Sequence, residues 1–178
     1  NIPTENLEAL TKALTDGGLS PHASLWRTSL ISCTGTQFCN LAIVETKKRA
    51  ERILKYLEDE CALDSPIMLS VTGCPNSCAQ YQIADIGLMG VVCNYREVRG
   101  TEAYNILLGG ALGADPKFAT LALKKVPADH VQKSVKQLVE AYMANRLDSD
   151  ETFRQFLARH TSEQLTQWLM IPEMADVK

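Results

Sequence analysis

Four of the six cysteines in this 178-residue chain form two tight pairs, Cys33 with Cys39 and Cys74 with Cys78. That pairing constrains the fold more than any other feature, and Cys61 and Cys93 stand outside it. An even cysteine count can signal a disulfide framework, but such scaffolds are short and poor in long helices. Here hydrophobic residues make up 46% and charged residues 22%, the proportions of an ordinary domain with its own core and too apolar for disorder. Metal or cluster ligation is the better reading of the pairs.

The formal net charge of −3 argues against a general nucleic-acid binder. No apolar run approaches the length of a membrane span, and the start lacks a basic segment followed by an apolar one. Neither nucleic acid nor membrane is expected as a partner. The chain begins at Asn1, which suggests a processed chain, an excised piece or part of something larger.

Helical and extended patterns alternate along the chain. Thr4 is a candidate N-cap for a first helix with an apolar stripe of Leu7, Leu10, Ala13 and Leu14, ended by Gly17-Gly18. After a break at Ser20-Pro21-His22, Leu25 to Ile31 reads as a strand running into the first cysteine loop. From Asn40 to about Glu60 the period is helical, with Ile43, Ala50, Ile53, Leu54 and Leu57 on one face. Ile67 to Val71 is a second strand, and it too ends in a cysteine loop. Ile83 to Val92 is strand-like across Gly87 and Gly90, and Tyr104 to Leu108 is a strand closed by Gly109-Gly110. A helix starting at Pro127 buries Val131, Val135, Leu138, Val139 and Tyr142. Another opens at Asp148, three residues before Glu151 in the manner of a capping box, breaks near His160-Thr161 and resumes towards Trp168. The expected fold is mixed α/β (α+β), a sheet of about five strands flanked by helices. Residues 1–18 are expected to be a helix of a neighbouring domain, and 19–178 the domain carrying the cysteines.

Both pairs follow a strand, and loops at strand carboxyl ends in an α/β sheet can converge on one crevice. Structural zinc takes spacers of about two to four residues, which Cys74-x3-Cys78 meets and Cys33-x5-Cys39 does not. His22, His130 and His160 are remote in sequence, and four thiolates without histidine is the ligand set of an iron–sulfur cluster. Thr34, Gly35, Thr36, Gly73, Pro75, Asn76 and Ser77 let the backbone wrap closely and aim N–H groups at anionic sulfur. A cluster leads this reading. Zinc held by the four thiolates in a non-catalytic structural module, or inert or disulfide-bonded cysteines, are the alternatives.

Cys-Thr-Gly-Thr-Gln-Phe-Cys-Asn-Leu-Ala-Ile-Val-Glu-Thr-Lys (33–47) resembles the first cluster motif of the ferredoxin-dependent nitrite reductases. Thr-Gly-Cys-Pro-Asn-Ser-Cys-Ala-Gln (72–80), followed by Ile-Ala-Asp-Ile-Gly-Leu-Met-Gly (83–90), resembles the second. Tyr-Asn-Ile-Leu-Leu-Gly-Gly-Ala-Leu-Gly (104–113) is similar to the family's glycine-rich strand end, and the match runs from about Ser20 to Val139. Assimilatory sulfite reductases share this scaffold. The resemblance implies a sirohaem-type reductase cluster domain in which Cys33, Cys39, Cys74 and Cys78 hold a [4Fe-4S] cluster and Cys78 also bridges to the iron of a sirohaem. It implies that electrons from ferredoxin pass through the shared thiolate to nitrite, reduced to ammonium, or alternatively to sulfite, reduced to sulfide. It further implies the amino-terminal portion of the same enzyme as a partner, and a cytoplasmic location, or the plastid stroma in a photosynthetic eukaryote. Asn76, Thr34 and Gln37 are candidate cofactor contacts, each with the plainer alternative of stabilising its own turn.

Sirohaem is a polycarboxylate, and burying it demands paired cations or strong donors. Yet Lys and Arg are absent throughout Tyr56–Tyr95 and between the first cysteine pair and Lys47. Lys47, Lys48, Arg49, Arg96 and Arg99 read as a solvated helix face and a loop. The cations that grip substrate are therefore expected outside this chain. Cys61 and Cys93 read as buried small hydrophobes, Asp85 as a strand-end hydrogen-bonding group, His160 as solvated, and Trp26 and Trp168 as packing residues. Gly109, Gly110 and Gly113 lack the spacing of a nucleotide fingerprint and suit close backbone approach to a flat cofactor or a neighbouring domain.

Overall fold

A computed structural model describes residues Asn1–Val177. Its frame is one five-stranded sheet in sequence order, β1 (Leu30–Ser32), β2 (Leu69–Thr72), β3 (Ile86–Tyr95), β4 (Val98–Leu108) and β5 (Thr120–Pro127). The first three strands are parallel, and β4 and β5 continue antiparallel. The mixed sheet of the sequence reading is therefore present. Parallel neighbours need a crossover, and the two crossovers differ. Between β1 and β2 the chain passes through the first cysteine loop and then α3 (Lys47–Glu60). From β2 to β3 it passes through the second cysteine loop, with only a 3-10 turn at Tyr81–Ile83.

Every residue of β2 is buried. Leu69, Val71, Ile86, Leu88, Tyr104 and Ile106 form the middle of the core, packed by Ile53 and Leu57 of α3 and by Val135, Leu138 and Tyr142 of α4 (Val131–Asn145). Each fully buried aliphatic side chain contributes about 1.5–3 kcal/mol relative to exposure, so this central layer anchors the strands that carry the cysteine loops. Among the described residues no helix is long and apolar enough to cross a membrane.

The remaining helices are α1 (Leu7–Asp16), α2 (Leu25–Ser29), α5 (Phe153–Ala158) and α6 (Ser162–Leu169). The α1 helix follows a 3-10 turn at Thr4–Asn6 and buries none of its residues. Most of the expected strand at Leu25–Ile31 is α2. Ser24 caps it by accepting from the Arg27 amide at 3.1 Å, and the helical turn lets Trp26 sink into the core and donate to the Cys61 carbonyl at 2.7 Å. Arg27 and Glu58 pair across the same contact at 2.8 Å.

Other expectations also shift. The segment before Lys47 is irregular, so α3 is shorter than the helical period suggested. Pro127 ends β5, and α4 begins at Val131. The capping box that opens α5 is Thr152 with Gln155; Asp148 instead accepts from the Asp150 and Glu151 amides in the preceding turn. The break near His160 is present, but His160 is half-buried between Phe156 and Trp168 and hydrogen-bonds through Nδ1 to the Phe156 carbonyl at 2.7 Å. Gly110 does allow a close approach, though to its own chain: a Cβ there would stand 2.6 Å from the Gln82 carbonyl oxygen.

Asp85, at the foot of β3, has the hydrogen-bonding role expected of it. Its carboxylate is buried, accepts from the Met68 amide at 2.8 Å and pairs with Arg154 of α5 at 2.5 Å. Arg154→Leu removes the cation and leaves the buried carboxylate. That change is expected to cost about 2–3 kcal/mol. Urea melts check it, with Asp85→Asn in the same chain recovering part of the loss; an unchanged midpoint would show that water already solvates Asp85.

Candidate metal centre

Because β1 and β2 are parallel neighbours, their carboxyl ends point the same way, and both cysteine loops leave from that edge. The Cys33 amide donates to the Val71 carbonyl at 3.0 Å, extending the β1–β2 ladder up to the first cysteine. Gly73, just past β2, then joins the loops. Its amide donates to Cys33 Sγ at 3.2 Å, and its carbonyl accepts from the Ile43 and Val44 amides at 2.8 and 3.2 Å. The close packing extends to β3, where a Cβ on Gly90 would lie 2.6 Å from the Gly73 carbonyl oxygen.

Thr46, immediately before α3, fixes the other side of Cys33. Its buried hydroxyl donates to the Cys33 carbonyl at 2.7 Å and stands 3.7 Å from the Cys33 sulfur. The Gly73 amide thus donates to Cys33 Sγ before any ligand is considered, while the Thr46 hydroxyl, its hydrogen committed to the Cys33 carbonyl, accepts from the thiol. Within the first loop, the Phe38 and Cys39 amides turn back to the Gly35 carbonyl at 3.3 and 3.0 Å, closing the turn that carries Cys39.

The second loop is wound more tightly. Ser77 and Gln80 adopt left-handed φ values of 61° and 55°, flanking Cys78. Non-glycine residues in this region are uncommon and cluster at ligand-clamping sites. The Gln80 amide donates to the Ser77 carbonyl at 2.8 Å, Ser77 bonds Gln82, and the buried Ser70 hydroxyl of β2 ties down the Ala79 carbonyl.

Cys74 is buried, Cys33 and Cys39 are half-buried and Cys78 is exposed; all are free thiols. Thr34, Gln37 and Asn76 stand exposed on the same loops. The buried Thr72 hydroxyl, two residues before Cys74, has no hydrogen-bond partner. Cys61 and Cys93 are buried elsewhere, and burial pushes both thiols up, which keeps them protonated and poor ligands. Among the described residues no three His, Cys, Asp or Glu side chains converge as ligands of one metal ion. A multi-iron cluster takes four thiolates without histidine, and four thiols on two clamped loops, with an amide donor at one sulfur, fit it.

Sequence reasoning named the four cysteines, and Gly73 among the residues that aim N–H groups at sulfur, but it missed Thr46 and Gly90. Thr46 and Gly90 carry no signal in residue type, because each matters only through a contact made by folding. The left-handed Ser77 and Gln80 are equally silent in residue type.

Comparison with known proteins agrees with this geometry. Residues 27–175 match the family described as Nitrite and sulphite reductase 4Fe-4S domain. The chloroplastic ferredoxin–nitrite reductase of Zea mays is 39% identical over 154 residues, covering 85% of this chain and 27% of that protein. A Mycobacterium tuberculosis sulfite reductase [ferredoxin] is 34% identical over 171 residues, covering 93% of this chain and 31% of that protein. The solved structure of the M. tuberculosis NirA protein superposes with a TM-score of 0.81 at 34% identity, over 93% of this chain and 31% of that one. Dissimilatory sulfite reductase I shares the fold, with a TM-score of 0.73 at 13% identity, over 96% of this chain and 59% of that one. The chain thus spans between a quarter and a third of these curated relatives. Two cysteine loops clamped at one sheet edge, and a family match that covers both, lead to one conclusion: the chain belongs to the nitrite and sulphite reductase 4Fe-4S domain family.

Proposed function

We propose that this chain is the cluster-bearing part of a ferredoxin-dependent reductase that acts on nitrite, with Cys33, Cys39, Cys74 and Cys78 as cluster ligands and Cys78 bridging to sirohaem. The observation that carries the reading is the joint made by Gly73: one residue ties Cys33 Sγ and the first loop to the second, which supports reading the four thiols as one site. Nitrite is put ahead of sulfite because the nitrite-reducing relative is 39% identical, against 34% for the sulfite-reducing one. When bound, the cluster and sirohaem supply one-electron transfers that add up to the reduction of substrate.

The chain's residues hold and tune that site. The Gly73 amide donates to Cys33 Sγ and the Thr46 hydroxyl anchors the Cys33 carbonyl, which together fix the orientation of that ligand. Exposed Cys78 is free to serve two metal centres, whereas buried Cys74 is shielded on the core side. Thr34, Gln37 and Asn76 offer polar groups on the open side. Phe38 and Leu41, 74% and 69% exposed on the first loop, give an apolar surface for a flat macrocycle or for the remainder of the reductase. The α1 helix, burying nothing here, packs against another domain of that enzyme.

Anaerobic reconstitution with iron and sulfide tests the proposal. The expected product holds about four irons and four acid-labile sulfides per chain. Zinc without sulfide would overturn it in favour of a structural zinc module. The reconstituted chain alone is expected to show no nitrite- or sulfite-dependent oxidation of reduced methyl viologen, since no Lys or Arg lies within Tyr56–Tyr95 to hold the anion. Robust turnover would sink the division of labour.

A further inference from the structure

The hydroxyl of Thr72 is fully buried at the end of β2 and has no hydrogen-bond partner. Buried polar groups are nearly always paired, and an unpaired hydroxyl lowers stability where valine, of the same shape, would not. Ser70, two residues earlier on the same strand, is satisfied, because its hydroxyl donates to the Ala79 carbonyl. Ser134 of α4 is also unpartnered, but in a helix a serine hydroxyl can rotate to the carbonyl four residues back. A strand offers Thr72 no such carbonyl.

The position of Thr72 says what it awaits. Leu69 and Val71 belong to the core, so by strand alternation Ser70 and Thr72 point to the other face. The Ser70 bond to Ala79, the residue after Cys78, folds the second cysteine loop over that face. On the β1 side, Ser32 is in register with Val71, and the Cys33 amide donates to the Val71 carbonyl, which sets Cys33 beside Thr72. The next rung of a parallel ladder would run from the Gly73 amide to the Cys33 carbonyl. Instead that amide donates to Cys33 Sγ at 3.2 Å, and the carbonyl is taken by the Thr46 hydroxyl. Thr72 therefore stands where the sheet gives up backbone pairing to serve sulfur, with Cys33 alongside and Cys74 two residues on.

We propose that the Thr72 hydroxyl is a donor to anionic sulfur of the bound cluster and holds its reduction potential up. The inference deepens the reading of the four thiols as a redox cluster and rests on it. A buried donor favours the reduced cluster, which carries one more negative charge, and hydrogen bonds to the sulfurs are among the terms that set the potential.

The test compares Thr72→Val, which keeps the branched shape and removes the hydroxyl, with Thr72→Ser, which keeps the hydroxyl. Without metal, the urea midpoint of Thr72→Val should equal or exceed that of wild type, because an unpaired buried hydroxyl is gone. After anaerobic reconstitution, redox titration of Thr72→Val should show a midpoint shifted to more negative potential. The expected change is about tenfold in the oxidised-to-reduced ratio, about 59 mV for a one-electron couple. Thr72→Ser should stay within about twofold of wild type in that ratio. The Fe–S stretching bands of wild type and Thr72→Ser should move further on transfer to D2O than those of Thr72→Val. Loss of the cluster from Thr72→Val alone would support the contact through a larger effect; loss from both variants overturns it. A loaded Thr72→Val chain with an unchanged or more positive midpoint overturns this inference alone. A wild-type chain that takes up no cluster overturns the reading of the site and this inference with it.

Discussion

Cys78→Ser is expected to empty the metal centre while leaving the fold intact. After anaerobic reconstitution the variant should hold roughly a tenth or less of the wild-type iron and sulfide, because a serine hydroxyl does not ionise near neutral pH as a thiol does. Cys78 is exposed on its loop, so the replacement removes no packing, and the urea midpoint of the apo chain should stay within about 0.5 kcal/mol of wild type. Cys61→Ser is the converse. That thiol is buried and held protonated, and the substitution places a hydroxyl in an apolar setting at a cost of about 1–3 kcal/mol. Its iron content per folded chain should not change. Full cluster uptake by the Cys78 variant would remove Cys78 from the ligand set and from any bridge to sirohaem, whatever the other cysteines do.

The contrast between these two cysteines was legible in the sequence, since spacing separates paired from unpaired residues. So was the placement of both loops at strand carboxyl ends, because hydrophobic runs immediately precede them. The antiparallel half of the sheet was legible only in part. At β5 the alternation of Leu121 and Leu123 is broken by Lys124 and Lys125, and Lys125 takes a left-handed φ of 55° with its amide bonded to Asn105. A bulge shifts the period by one residue, which erases the pattern that announces a strand. The β3–β4 hairpin turns at Arg96 and Glu97, both at positive φ, without the Asn-Gly or Asp-Gly pair that usually marks such a turn. At α2 the burial of Trp26 and its bond to Cys61 override a strand-like run, and neither contact is local. What stayed hidden at the site was of the same kind: Thr46 and Gly90 act across sequence gaps that no window spans.

Gly90→Ala should damage stability and the metal centre together, and the coupling is what identifies Gly90 as a support of the site. The added Cβ would meet the Gly73 carbonyl oxygen at 2.6 Å and carbon at 2.7 Å, and a Val44 methyl at 2.5 Å. The Val44 side chain can rotate away, but the carbonyl cannot. It accepts from Ile43 and Val44, and its own amide holds Cys33 Sγ. The strand has no more freedom, being paired with β2 on one side and β4 on the other. Relief must come from lifting the second loop off the sheet, which separates Gly73 from the first loop. The expected cost is about 3 kcal/mol, towards the upper end for overpacking because backbone is the obstacle. For a chain of this size that lowers Tm by roughly 6–12 °C. Leu138→Ala, in the core of α4, costs about as much by opening a cavity, yet it leaves the loops where they are. Reconstituted well below their melting points, the two variants should part: Leu138→Ala binds iron as wild type does, and Gly90→Ala binds substantially less. Equal iron in both would show that the loops close around the metal without Gly73 held against β3.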